Sequence, residues 1–450
     1  MSKALDTLVE FVAATRYEDL PVEVVNRAGL VLMDTVAAIL AGSTAPEVQN
    51  LASLAVRSSA CHSATIFGYR ELGDARWTAL VNACAGTSTE LDEGHAYPKG
   101  HPAIHVLPAV IALSEETNQT GRDGLLAFVL GYEVATRVGA ACNLRKVAHP
   151  HGTWGTLGAA TTAAKLMRED VRGIREVIDI ASSLTLATSF QSATSGALVR
   201  NIYAGMSNQN GLLAWNLYRC GFTGERDGVT NVFGHVMSET FREDVLTDGL
   251  GSRFEITRGY FKKHSCCRYN HGALDALDLI RAHYQFEPSD VKQVQVGTYG
   301  LAALLSGTQA STTLAARFSI PWAIAISLVR RSTAPAAFDE TALTDPQIRG
   351  LAERVRVIED PEYSAMTPAR RPARVSVELE DGRTFEQVVY SSRGDREQPF
   401  TRDELVSKYF ELSAPVIGMA NARAALERIQ EWPELKDMKI LTRLLLPQGG

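Results

Sequence analysis

Through most of the first 250 residues apolar positions recur at steps of three and four, and several stretches are apolar nearly all round. LDTLVEFVAAT, PVEVVNRAGLVLMDTVAAILAG, HVLPAVIALSEE, GRDGLLAFVLGYEVATRVGAACN and TLGAATTAAKLM share this pattern, which predicts helices buried among other helices. Pro21 opens one helix and the Gly42-Ser43 pair closes it. The many alanines allow helix axes to approach closely. The pattern changes near residue 290, where VKQVQVGTYG alternates as a strand. It alternates again in RVSVELEDGRTFEQVVYSS, where two runs flank Asp381-Gly382, a strong hairpin signal. HGALDALDLIRAHY, FSIPWAIAISLV and DPQIRGLAERV read as the helices of this section. From Thr401 the chain is helical again: Thr401 and Glu404 form a capping box ahead of KYFELSAPVIGMANARAALERIQEW. The simplest assembly is mainly α, a large all-helical domain (1–258 and 400–450) with an inserted smaller α+β domain (259–399). A ligand cleft is expected between the two.

Composition narrows the function. The chain has 450 residues, 45% hydrophobic and 21% charged, with a formal net charge of −6 and no extended Lys/Arg block, which argues against nucleic acid as a partner. MSKALDTLVEF lacks the apolar core of a signal peptide, and LVLMDTVAAILAG is interrupted by Asp34 and too short to span a bilayer. A cytoplasmic protein with no membrane partner is expected. The six cysteines have no CxxC spacing and read as reduced, mostly buried thiols.

Phosphate-loop and nucleophile-elbow motifs are absent, and GTWGTLG follows no strand, so its glycines read as packing at a helix start. HPAIH places His101 and His105 four apart, but a metalloprotease helix needs Glu where Pro102 stands, and Pro102 instead marks the first turn of a helix. No metal is expected there. Alone, each His-Pro reads as a helix-start device and Lys262-Lys263 as a solvated pair. Three such helix entries in one chain, GHAYPKGHPAIH, KVAHPHGTWGT and YFKKHSCCRYNHGALDAL, point instead to imidazoles and cations gathered around a small polyanion.

These blocks, in their longer forms TELDEGHAYPKGHPAIHVLPAVIAL, AHPHGTWGTLGAATTAAKLM and KKHSCCRYNHGALDAL, resemble those of the MmgE/PrpD family over nearly the whole chain. That family includes 2-methylcitrate dehydratase, cis-aconitate decarboxylase and iminodisuccinate epimerase. The resemblance implies a helical domain, an inserted α+β domain covering the site, a homodimer, no metal or organic cofactor, and a di- or tricarboxylate substrate. By position it implies that His101 and His149 line the site and that Lys262 or Lys263 is the lysine before the cysteines. Arg200 stands where a lysine is usual, and Glu90, Asp92 and Glu93 form the acidic loop.

The expected acid/base groups are His101, His149, Lys262 and Lys263, with the lysine's pKa depressed by neighbouring cations. Arg200 and Arg268 would hold carboxylates, His271 would orient a neighbour, and Asp92 and Tyr97 would contact substrate. Two departures stand out: the usual Asp-Asp-Thr reads Asp92-Glu93-Gly94, and Glu90 replaces an aspartate. The lost hydroxyl at 94 points to the epimerase branch, exchanging a proton alpha to a carboxylate of iminodisuccinate. Dehydration or decarboxylation of a tricarboxylate such as 2-methylcitrate or cis-aconitate is the alternative.

Overall fold

In the computed structural model, which describes residues 2–447, the apolar stretches become the helices that the pattern predicts. Pro21 precedes the helix Val22–Gly42, and the Ser43 amide closes it on the carbonyls of Ile39 and Leu40. The reading that this stretch is too short to cross a bilayer needs correction. Val22–Gly42 and Gly121–Ala141 are each 21 residues long and apolar enough to cross one by length and composition. Both lie mostly buried in the protein: Val22–Gly42 packs on Ala75–Ser88 and Arg402–Ile417, and Gly121–Ala141 packs on Gly155–Leu166. That last contact is backbone against backbone. A Cβ at Gly158 would meet the Gly131 carbonyl oxygen at 2.7 Å, and one at Gly131 would meet that of Gly158 at 2.7 Å. Pro102–Thr117 and Tyr203–Arg219 complete the centre of the bundle.

A second apolar core, drawn almost wholly from residues between Cys266 and Val389, surrounds a four-stranded sheet. Its strand order is Val355–Glu359, Val291–Thr298, Ala373–Leu379, Thr384–Val389; the first pair is parallel and the others antiparallel. The hairpin turns at Asp381-Gly382 as expected, with Gly382 at φ 88°. The parallel strand went unread. DPQIRGLAERV is helical only to Ala352, and Val355 begins an extended run whose β-branched residues suit the sheet edge. Helices Ile320–Arg330 and Pro346–Ala352 lie in the connection that a parallel pair requires.

After the sheet the chain returns to the first core through Leu405, Tyr409 and Leu412. The Glu404 carboxylate accepts the Thr401 amide at 2.7 Å, closing the expected capping box. The following run is two helices, Arg402–Ile417 and Met419–Gln430, because Gly418 takes φ 78°.

The polar break in the first long helix has a partner far along the chain. Asp34 is buried, and Lys408 donates to it at 2.6 Å and to the Leu91 carbonyl at 2.9 Å. Removing only one member strands a buried charge. Lys408→Met is expected to cost about 3 kcal/mol in chemical denaturation. Asp34→Leu with Lys408→Met should recover most of that loss; equal losses in the single and double variants would refute the pairing.

Candidate active site

The acidic loop is fixed before any histidine is placed. Gly94 and Tyr260 exchange backbone hydrogen bonds at 3.0 and 2.7 Å, which joins the loop to the segment leading into Lys262. Glu90 takes φ 55°, and Lys262 donates to both its carbonyl and its carboxylate at 3.0 Å. The other oxygen of that carboxylate forms an ion pair with Arg200. All three side chains are buried, so one carboxylate gathers two cations out of water.

His101 is the residue just before the helix Pro102–Thr117, as Pro102 predicts. Its Nδ1–H donates to Asp92 at 2.6 Å, leaving Nε2 as the nitrogen available for chemistry. At the second helix entry the His151 amide donates to His149 Nδ1 at 3.0 Å, and Arg200 Nε donates to His149 Nε2 at 3.5 Å. His105 donates through Nδ1 to the His101 carbonyl at 2.7 Å. His151 was absent from the expected set, yet it is the hub: its ring centroid lies 4.7 Å from His101, 4.6 Å from His105 and 4.8 Å from His149. Its Nδ1 is buried without a hydrogen bond.

Burial depresses all four imidazoles, so each is neutral near pH 7. His105 falls to about 4, while His101, His149 and His151 lie well below the ordinary value. Lys262 adds to the effect on His101, and Arg200 to that on His149 and His151. Lys262 behaves opposite to expectation. Burial alone would lower it, but Glu90 and Asp92 outweigh burial and hold it above its ordinary value, as an ammonium.

Glu90, His101, His149, His151 and Arg200 share one cleft with Lys99, Tyr260, Arg268, Tyr269 and Arg371. Several expected residues fall elsewhere. Lys263 is exposed and donates to Asp278 at 2.7 Å, away from the cleft. Asp92 lies beneath His101 and positions it. His271 accepts from Arg268 at 2.9 Å through Nδ1 and holds that guanidinium, which also pairs with Asp395 at 2.5 Å. Tyr97 stands in the adjoining outer recess with Arg258 4.0 Å over its ring. Arg200 faces Glu90 and not an open carboxylate site.

Among the described residues, the group of three suited to hold a metal is His264, Asp275 and Asp278, and the Lys263 ammonium already bridges the two carboxylates. Cys266 and Cys267 are free, buried thiols pushed above their ordinary value by burial, Cys267 to about 11.

Gly94 answers the question raised by its missing hydroxyl. A Cβ there would lie 2.5 Å from the Tyr260 hydroxyl oxygen, so the phenol fills the space that a side chain would take. Position 94 has lost a hydroxyl, and the cleft has gained one from another segment.

Residues 6–242 match the MmgE/PrpD N-terminal domain and residues 264–434 the MmgE/PrpD C-terminal domain. The cis-aconitate decarboxylase of Aspergillus terreus is 23% identical over 458 residues, covering 95% of this chain and 93% of that protein. The cis-aconitate decarboxylase of Mus musculus is 26% identical over 387 residues, with 82% and 78% covered. That of Homo sapiens is 24% identical over 443 residues, with 94% and 90% covered.

Glu93 gives the site a pH signature. Burial pushes its carboxyl up to about 8, against hydrogen bonds from Tyr132 at 2.6 Å and the Ala103 amide at 3.2 Å. Because the folded value exceeds the unfolded one, this stabilising contribution is complete below pH ~4 and disappears as pH rises toward 8. Glu93→Gln keeps an acceptor for Ala103 and offers a donor to Tyr132. It should abolish a stability loss on the order of 2–4 kcal/mol between pH 5 and 8. Unchanged pH dependence of thermal unfolding in the variant would refute the assignment.

Proposed function

The chain belongs to the MmgE/PrpD family, and on that premise we propose that it is a cofactor-independent lyase of a small tricarboxylate of the cis-aconitate or 2-methylcitrate kind. The observation that carries the reading is the cleft itself. A neutral imidazole braced by Asp92 stands beside fixed cations, as required where charge develops on a carbon next to a carboxylate.

In the decarboxylation the bond from carbon to the leaving carboxylate breaks, and carbon dioxide departs. The electron pair delocalises into a neighbouring carboxylate, whose negative charge the cations of the cleft stabilise. His101 Nε2–H then returns a proton to carbon and is recharged from solvent. In the free protein burial, Lys262 and Arg200 keep His101 neutral. Substrate carboxylates offset those cations and raise its proton affinity, so the substrate helps to load the acid that it needs.

Two observations favour a lyase over the epimerase expected from Gly94. The relatives are decarboxylases by name, at 23% to 26% identity. Of the second acid/base groups that an epimerase would use, Lys262 is a buried ammonium locked to Glu90 and Lys263 pairs with Asp278, which leaves His149 alone.

Carbon dioxide release from cis-aconitate is the expected activity, with kcat falling as pH rises because the acid form of His101 does the work. A rise in ultraviolet absorbance from 2-methylcitrate would assign the dehydratase form of the same reading. Deuterium uptake with stereoisomer interconversion of iminodisuccinate, and neither lyase product, would overturn it. His101→Gln should lower kcat by about 10²- to 10⁴-fold. Lys262→Ala should impair turnover severely, whereas Lys263→Gln should stay within about twofold of the parent because its partners lie outside the cleft.

A further inference from the structure

Sorting the cations of the cleft by partner separates them into two groups. Arg200 pairs with Glu90, Lys262 with Glu90 and, at 4.0 Å, with Asp92, and Arg268 with Asp395. Arg371 is different. It is buried, it donates to the Ala96 carbonyl at 3.0 Å, and its guanidinium lies against the rings of Tyr260 at 5.6 Å and Tyr269 at 5.8 Å. Asp395, the acid whose field reaches it, is already committed to Arg268. Lys99, on the same cleft wall, takes φ 56° and forms no ion pair with any described residue. Burial, and then the charge of Arg371, depress Lys99, and both cations line the same cleft.

A buried guanidinium with an exposed ammonium beside it and no counter-charge is unfavourable, and an anion removes the cost. Tyr260 stands at the same place, held between Arg371 and Arg268, whose guanidinium is 4.5 Å from its ring. Its hydroxyl reaches into the space that Gly94 leaves open. Lys99, Arg371 and the Tyr260 phenol thus line the same cleft as the histidines and the Glu90 group.

We infer that Lys99, Arg371 and Tyr260 form a carboxylate subsite that anchors the end of the substrate remote from the reacting carbon, with Gly94 required to admit the Tyr260 hydroxyl. This rests on the lyase reading and adds to it. The chemistry occurs at His101, while selection for a polycarboxylate occurs here. Arg371 presents a planar fork to one carboxylate, Tyr260 donates a hydrogen bond to it, and Lys99 supplies a second, more mobile charge from the loop.

The test is calorimetric binding of tricarballylate, which has no leaving group and no double bond, compared with methylsuccinate, which lacks one of its terminal carboxylates. The parent protein should prefer tricarballylate. Arg371→Gln should weaken its binding by about 10- to 100-fold and remove the preference, with partial recovery in Arg371→Lys. Tyr260→Phe and Gly94→Ala should each weaken binding by about 3- to 10-fold, the second because its new methyl displaces the phenol. Lys99→Gln, at an exposed position, provides the same readout without disturbing the fold.

Binding of tricarballylate within about twofold of the parent in both folded Arg371→Gln and Lys99→Gln overturns the subsite, whatever the turnover. If no lyase product forms yet both variants lose tricarballylate binding, the lyase reading fails and the subsite stands.

Discussion

The site depends on one buried carboxylate. Glu90 accepts Lys262 and Arg200 together, and all three side chains are out of water. Two cations without Glu90 would be intolerable there, and Glu90 without them would take up a proton. Fixing it also fixes the backbone, because Lys262 holds the Glu90 carbonyl and the left-handed turn at that residue aims the rest of the acidic loop. Asp92 is thereby set under His101. Burial, and then the charge of Lys262 and Arg200, depress the histidines and keep them neutral.

That dependence explains what could be read in the sequence. The long helices, the hairpin at Asp381-Gly382 and the Thr401 capping box follow from local periodicity and turn chemistry, so the chain states them directly. His101 and His149 were legible because each precedes a proline at a helix entry. His151, two residues beyond His149, carries no local signal of its own; only folding brings three other rings to within 5 Å of it. Arg371 lies in an Arg-Arg-Pro run that reads as a solvated loop, and its burial depends on where Tyr260 and Tyr269 come to rest. Lys262 and Lys263 are neighbours in sequence with opposite fates. One meets Glu90 and the other Asp278, a difference set by tertiary structure alone.

Gly94 shows how a departure in a motif can mislead. Read along the chain, a missing hydroxyl suggests altered chemistry. In three dimensions the phenol of Tyr260 occupies that volume, contributed by a segment more than a hundred residues away and clasped to Gly94 through the backbone. A motif position is therefore better compared by the atoms that reach its space than by the residue that bears its number.

The tie between Lys408 and the first half of the chain carries a consequence in time. Lys408 holds both Asp34, within the first long helix, and the Leu91 carbonyl, inside the acidic loop between Glu90 and Asp92. During synthesis the histidines, the acids and Lys262 all emerge before this clamp does. A nascent chain can collapse around its first helices, but it cannot lock the loop that orients His101 until the residues after 400 have left the ribosome. The order of the loop under His101 thus waits on a helix that follows it by some three hundred residues.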